Sequence, residues 1–339
     1  MRLHRKCGLR NLRVLLVLLQ PGIEPRTGIY QCGEDMKTTL GAAAVVLACS
    51  SAAQAQDFSG VFSLGYGENE FADTADRLNE SSLKGRFRAQ TGNGMPFGLQ
   101  FGTETKSAPQ TDESSNGRNF GADLQFVQQN NLTYGIYAES SAVTANGVDL
   151  LSTSAFGLTA GYVPNGLNLK GFVGSAALEE QPLAEITALG VTASYQLAPN
   201  FTVGANLSQH GVKNGSFVNT ASSVGLGAVY QPTPSIGLFG GFTSMDLSSS
   251  NDTRLTEMGL GGSYRVNRSG NSPILATLEV LNTDFNSGPD NTSFNTIRLG
   301  VTFPLGAAAR NVSVPINSAA DRVFQPVRNF LGAYGDALN

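Results

Sequence analysis

The sequence predicts an all-β protein, a single antiparallel transmembrane β-barrel of about fourteen strands, with twelve and sixteen as the neighbouring even counts. Three observations carry that expectation. Charged residues make up only 14% of the 339 residues, and glycine reaches 40, where an ordinary soluble domain is about 25% charged. Mean hydropathy is −0.07, and the longest uncharged apolar stretches, Val14–Leu19 and Leu40–Cys49, fall well short of the ~20 residues of a helical span. Apolar residues alternate with small or polar ones over segment after segment, which is the two-residue period of a strand. A weakly charged chain without helical spans crosses a membrane as a closed barrel, because each backbone polar group must find its partner on a neighbouring strand. Hydrophobic residues make up 41% of the chain, which excludes a long disordered polymer.

The elements follow in chain order. Residues 1–35 read as an upstream extension outside the working protein. Residues 36–55 read as a secretory signal peptide: Met36-Lys37 as the basic start, Leu40–Leu47 as the apolar run, and a small-residue site that places cleavage between Ala55 and Gln56. Lipoprotein processing at Cys49 and a signal built on Arg10–Leu19 are the rival readings. Cys7, Cys32 and Cys49 all precede the cleavage site, so the remaining chain carries no thiol, disulfide framework or cysteine-ligated metal. Seven of the 22 basic and three of the 26 acidic residues also precede Gln56, which leaves the rest at a net charge of −8. An acidic chain without a basic tract is no partner for nucleic acid.

Residues 56–306 repeat a hairpin. Phe156–Tyr162, Leu189–Tyr195, Val224–Tyr230, Met258–Tyr264 and Leu299–Leu305 share one alternating pattern, and their tyrosines are spaced 33, 35 and 34 residues apart. Leu83–Ala89 and Phe120–Phe126 continue it upstream. Seven partner strands lie between, near Phe58–Tyr66, Phe97–Thr103, Leu132–Ala138, Leu167–Val173, Phe201–Leu207, Ile236–Phe242 and Ile274–Val280. Connections after the repeat segments are short, such as Gln128–Asn131 and Ala198–Asn200. Those after the partner strands are long and polar, such as Glu68–Ser81, Glu104–Asn119, Glu139–Thr153, Gln209–Ala221 and Asn282–Asn295. Short periplasmic turns and long extracellular loops are the pattern of a bacterial outer-membrane barrel. An even strand count puts both chain ends on the periplasmic side. A soluble secreted all-β sandwich would alternate too, with loops in no fixed order.

The alternation assigns the two faces. Leu83, Phe87, Phe97, Leu99, Phe101, Phe120, Ile136, Leu189, Leu226, Leu260, Leu278 and Val280 share the parity expected to meet lipid. Tyr162, Tyr195, Tyr230 and Tyr264 fall on it just before short turns, where an aromatic belt settles. The opposite parity carries basic Lys84, Arg86, Arg88, Lys170, Arg265 and Arg298 with acidic Glu104, Asp123, Glu139 and Glu279, expected to line an aqueous pore.

Arg298-Leu299-Gly300-Val301-Thr302-Phe303-Pro304-Leu305 resembles the signal read by the barrel-assembly machinery, although 34 residues follow it. Leu83–Gly102, a basic alternating strand followed by Thr91-Gly92-Asn93-Gly94-Met95-Pro96-Phe97-Gly98 and a second strand, resembles the early strands of alphaproteobacterial porins. That resemblance implies a bacterial cell outer membrane location, contact with lipid and lipopolysaccharide, and a homotrimer. It also implies passive diffusion of small hydrophilic solutes or ions. The residues themselves point to no catalytic site, metal or cofactor. A structural or adhesive surface barrel with a closed lumen is the alternative.

Little else in the chain suggests chemistry. His210 opens a polar segment and reads as a surface-loop histidine. Glu68, Glu70, Asp73, Asp76 and Glu80 read as a solvated loop, or as a bridge through divalent cations to lipopolysaccharide phosphates. The ladder of Lys84, Arg86 and Arg88 reads either as a positive wall acting on passing ions or as a row of stiffening ion pairs with Glu104 and Asp123. Porins set acidic groups on an inward-folded third loop against such a wall, and Glu139 and Asp149 flank the third long connection here.

The tail, 307–339, is too short for a core of its own. Val323, Phe324, Val327, Phe330 and Leu331 lie on one face of a short helix, Ser318 stands as its cap three residues before Asp321, and Pro326 predicts a kink or a new start. Three places are open to it: a loose periplasmic segment, a plug in the lumen, or a helix docked on a partner. The inward glycines Gly157, Gly190, Gly225, Gly259 and Gly300 leave room for the plug.

Overall fold

A computed structural model describes residues 58–325 apart from 72–76, 91–94, 111–112, 129, 180, 215–216, 249–252, 267–272, 288–289 and 307–314. The signal segment, its Ala55–Gln56 cleavage site, the three cysteines and Val327, Phe330 and Leu331 lie outside the described residues. The chain forms fourteen strands: β1 (Phe58–Phe71), β2 (Arg77–Gln90), β3 (Pro96–Ala108), β4 (Glu113–Val127), β5 (Leu132–Ala145), β6 (Val148–Tyr162) and β7 (Leu167–Leu178), then β8 (Gln181–Ala198), β9 (Phe201–Asn214), β10 (Phe217–Thr233), β11 (Ile236–Ser248), β12 (Thr253–Arg265), β13 (Leu275–Ser287) and β14 (Asp290–Gly306). Each strand pairs antiparallel with its neighbours in sequence, and β14 returns to pair with β1, closing the ring. The segment Arg298–Leu305 lies in that closing strand, with Phe303 opposite Phe62 and Val301 opposite Leu64.

The strands run from 12 residues in β7 to 18 in β8, longer than the ~9–11 a tilted span requires. The polar segments expected as long loops take the form of tall hairpins. Glu104–Asn119, for instance, is mostly the paired upper halves of β3 and β4, from Glu104 opposite Gly117 to Ala108 opposite Glu113. The third of them is the clearest. Between Glu139 and Thr153 the ladder continues to the two-residue turn Asn146-Gly147, with φ of 51° and 76°, the left-handed pair that matches strand twist in a tight hairpin. In these segments the apolar alternation stops while backbone pairing continues.

Side chains sort by parity as the pleat requires. Outside, Leu260 is 72% exposed, Phe156 67% and Leu158 59%, while Phe239 and Leu281 on the inner face are each 2% exposed. Tyr162, Tyr195, Tyr230 and Tyr264 point outward near the rim that carries the chain ends, and Tyr230 meets Phe201 edge-on at 6.1 Å. Gly306 ends β14 with φ 59°, where a side chain would run into the Phe58 carbonyl.

Among the described residues, one short helix lies beyond the wall, α1 (Ala319–Phe324). Ser318 caps it: the Asp321 amide donates to Ser318 Oγ at 3.2 Å, and Ser318 Oγ donates to the Pro315 carbonyl at 2.8 Å. The helix stops at Phe324. Gln325 is already extended (φ −112°, ψ 141°), as the residue before Pro326 must be. Of the three places open to the tail, these residues occupy the lumen. Ala319, Ala320 and Val323 are almost fully buried, and Ala320 packs with Val229 of β10 and Phe239 of β11.

Candidate functional site

The interior divides into two sectors. On β2, β3, β12, β13 and β14 every second residue faces inward, and charged side chains from distant parts of the sequence meet there. Arg298 of β14 sits at the centre, buried to 6% exposure. Its Nε and Nη2 donate to Glu80 Oε1 of β2 at 2.9 and 2.8 Å, and its Nη1 donates to Glu279 Oε2 of β13 at 3.3 Å. Lys106 of β3 lies 3.9 Å from Glu80 and 3.6 Å from Glu104, and Lys84 lies 3.5 Å from the other Glu104 oxygen. Burying such charges is costly unless each is paired. This network pairs them across β14, β2 and β3, over the glycine-rich inner face of β1.

The tail completes the network. Arg86 grips Asp321 with both terminal guanidinium nitrogens, Nη1 and Nη2, at 3.2 and 3.0 Å. Arg322 Nη1 donates to Glu257 of β12 at 2.6 Å. The Ala319 amide donates to Glu279 Oε1 at 2.9 Å, and Arg298 donates to the Asn317 carbonyl at 2.8 Å. Asn206 of β9 donates to the Arg322 carbonyl at 3.0 Å. Acidic Glu80, Glu104, Glu257, Glu279 and Asp321 match basic Lys84, Arg86, Lys106, Arg298 and Arg322 in number.

The opposite sector, β5 to β11, holds few charges. Tyr137 and Phe172 meet edge-on at 6.4 Å beside Ala188. Gly157 and Gly190, expected to make room for a plug, instead lie under the Tyr137 and Phe172 rings, and Gly225 lies under Asn206. Gly259 does face the tail: a Cβ there would stand 2.7 Å from that of Ala319. Gly300 faces Thr277, with Asn317 farther off. Gly204, Gly227 and Gly241 complete the seat under Phe324, Val323 and the Ala319 backbone.

The other expected pore residues are spread along the interior. Asp123 accepts from Gln125 at 2.9 Å and Glu139 from Gln100 at 3.1 Å. Lys170 stands on β7 opposite Gly161 and Thr192. Arg88 on β2 and Arg265 on β12 lie toward the rim of the chain ends, Arg88 exposed. Lys84 and Arg86 are each held by a carboxylate, so these two members of the ladder are paired rather than a bare positive wall. Asp149 is exposed, 4.0 Å from Arg118. His210 lies on the inner face of β9 at 2% exposure rather than in a surface loop. The sequence reading missed Glu80, Lys106 and Glu257 as interior groups. Parity would have found all three, since Glu80 is four residues before Lys84, Lys106 two after Glu104 and Glu257 eight before Arg265.

A model of the Gram-negative porin family matches residues 126–286. No curated protein matches the chain by sequence. Solved structures with a similar fold include an anion-selective porin from Comamonas acidovorans, 12% identical over 74% of this chain and 99% of that one (TM-score 0.45). The outer-membrane protein OmpT of Vibrio cholerae, in its trimer form, is 9% identical over 74% and 99% (TM-score 0.40). A FadL homologue of Pseudomonas aeruginosa is 9% identical over 73% and 89% (TM-score 0.44).

Proposed function

We propose that this chain, whose residues 126–286 match a model of the Gram-negative porin family, is a non-enzymatic outer-membrane channel through which small hydrophilic solutes or ions diffuse passively. The observation that carries the reading is the interior: a closed wall, apolar outside, whose inner face bears Ser, Thr, Asn and a paired set of charges. Polar groups along a pore offer a solute contacts in place of the water it sheds, and fixed charges set a field that sorts ions by sign. The paired groups act through position and charge and take no part in making or breaking bonds. Lipopolysaccharide at the outer rim, the barrel-assembly machinery at β14 and a homotrimer are the partners this reading proposes. Cross-linking in native membranes tests the last.

The reading is tested by conductance of the purified protein in a planar bilayer. Stepwise ohmic currents are the expected result. A folded, heat-modifiable barrel that stays silent would instead favour a structural or adhesive surface barrel. Replacing Lys84, Arg86 and Arg88 together by Ser leaves Glu104 and Asp321 without these counter-charges, so the reversal potential in a salt gradient should move toward cations. An unchanged potential in a conducting barrel would remove these residues from ion selection.

A further inference from the structure

We propose that Pro315–Gln325 forms the constriction of this channel, and that Asp321 and Arg322 on it are specificity-determining residues for ions. The inference rests on the channel reading above and deepens it. A wide barrel needs something inside to narrow it, and the third connection at the far end does not do so: it is the two-residue turn Asn146-Gly147, continuous with the wall. The chain instead supplies an interior element after its last strand.

The seat is specific. A Cβ built on Gly241 would stand 2.5 Å from the Ala319 carbonyl carbon and oxygen and 2.7 Å from the Ala320 amide, so the wall carries no side chain where the helix backbone passes. On the same helix Val323 lies over Gly227, and Ala320 closes an apolar contact with Val229 and Phe239. The helix therefore has an apolar face fitted to one wall, and its polar groups turn to the charged sector.

Two consecutive residues of opposite sign then reach to different strands. Asp321 is held by Arg86 on β2, and Arg322 by Glu257 on β12. Each neutralises a wall charge. With Asp321 in place Arg86 presents little net field, and with Arg322 in place the same holds for Glu257. Removing one partner should expose a charge of known sign at the narrowest level, and removing the other should expose the opposite sign. A segment that only fills space gives no such opposed pair.

The test uses the full-length protein in planar bilayers under a salt gradient, with the variants Asp321→Asn, Arg322→Gln and Gly241→Val and a truncation after Gly306. Asp321→Asn should move the reversal potential toward anions, and Arg322→Gln toward cations. Gly241→Val and the truncation should raise single-channel conductance about two-fold or more, because a helix with its side chains is about 10 Å across. Unchanged potentials in both point variants, with equal conductance in Gly241→Val, would overturn the proposal while leaving the channel intact. Silence in every folded variant would remove the channel reading and the constriction with it. The point variants keep the test decisive if the truncated chain fails to assemble.

Discussion

Across β12, β13, β14, β2 and β3 the interior is filled by charges, and across β9, β10 and β11 it is filled by a borrowed helix. The first sector completes itself from residues far apart in the chain: Arg298 reaches over β1 to Glu80, 218 residues away. The second lacks side chains where Gly204, Gly227 and Gly241 stand, and takes Phe324, Val323 and Ala319 in their place. The difference shows two ways to fill a barrel. One relies on the wall's own long side chains, which must be paired because they are buried. The other leaves the wall bare and packs a separate element against it, at near-crystalline density. The tail serves both, with small apolar residues for the bare wall and one charge of each sign for the crowded one.

Removing the centre of the charged sector should have the largest effect. Arg298→Met leaves Glu80 and Glu279 without their main partner and should cost roughly 3–5 kcal/mol, read as a lower urea midpoint in detergent micelles. A midpoint equal to the parent would mean that the network is dispensable and the comparison false. Phe239→Ala attacks the other sector. It removes the ring that Ala320 and Phe324 pack against and should cost about 3 kcal/mol. It should also speed protease cleavage after Arg322 while the wall stays resistant; loss of the whole barrel at once would instead make the two sectors one cooperative unit. The smallest effect is expected at the exposed Glu68–Arg77 pair, 2.8 Å apart on the tall β1–β2 hairpin. There Arg77→Ala should change stability by less than about 1 kcal/mol. A larger loss would show that burial is not what separates strong pairs from weak ones here.

Much of the wall was legible in the sequence because its physics is local. The two-residue pleat assigns Leu83 outward and Lys84 inward from their neighbours alone, and the spacing of Tyr162, Tyr195, Tyr230 and Tyr264 reports the hairpin repeat. Legibility failed where the outward residues turn polar. Glu68–Phe71, Arg77–Ser81 and Glu139–Thr153 lose the apolar alternation yet keep the ladder, so strand reads as loop, and His210 and Glu80 were read as loop residues for the same reason. It failed again where contacts are distant. Nothing within a strand's length of Asp321 announces Arg86, 235 residues away, and six helical residues carry too little apolar surface to reveal what they pack against. The inward glycines were visible, but not their occupants: Gly157 lies under Tyr137, Gly190 under Phe172 and Gly259 against Ala319 of the tail.

A ring of strands has one joint that the chain must make last, between its first strand and its final one. Here the residues just after that final strand return to the joint from within. Asn317 hydrogen-bonds to Ser82 of β2 at 3.4 Å, and its carbonyl accepts from Arg298 of β14 at 2.8 Å. The two strands it ties flank β1, so pulling β14 from β1 must also break these bonds. The tail is therefore a latch as well as a filling. Its catch has parts on both sides of the joint and comes together only when the ring has closed, so a seated latch is a record, kept in the structure, that assembly has finished.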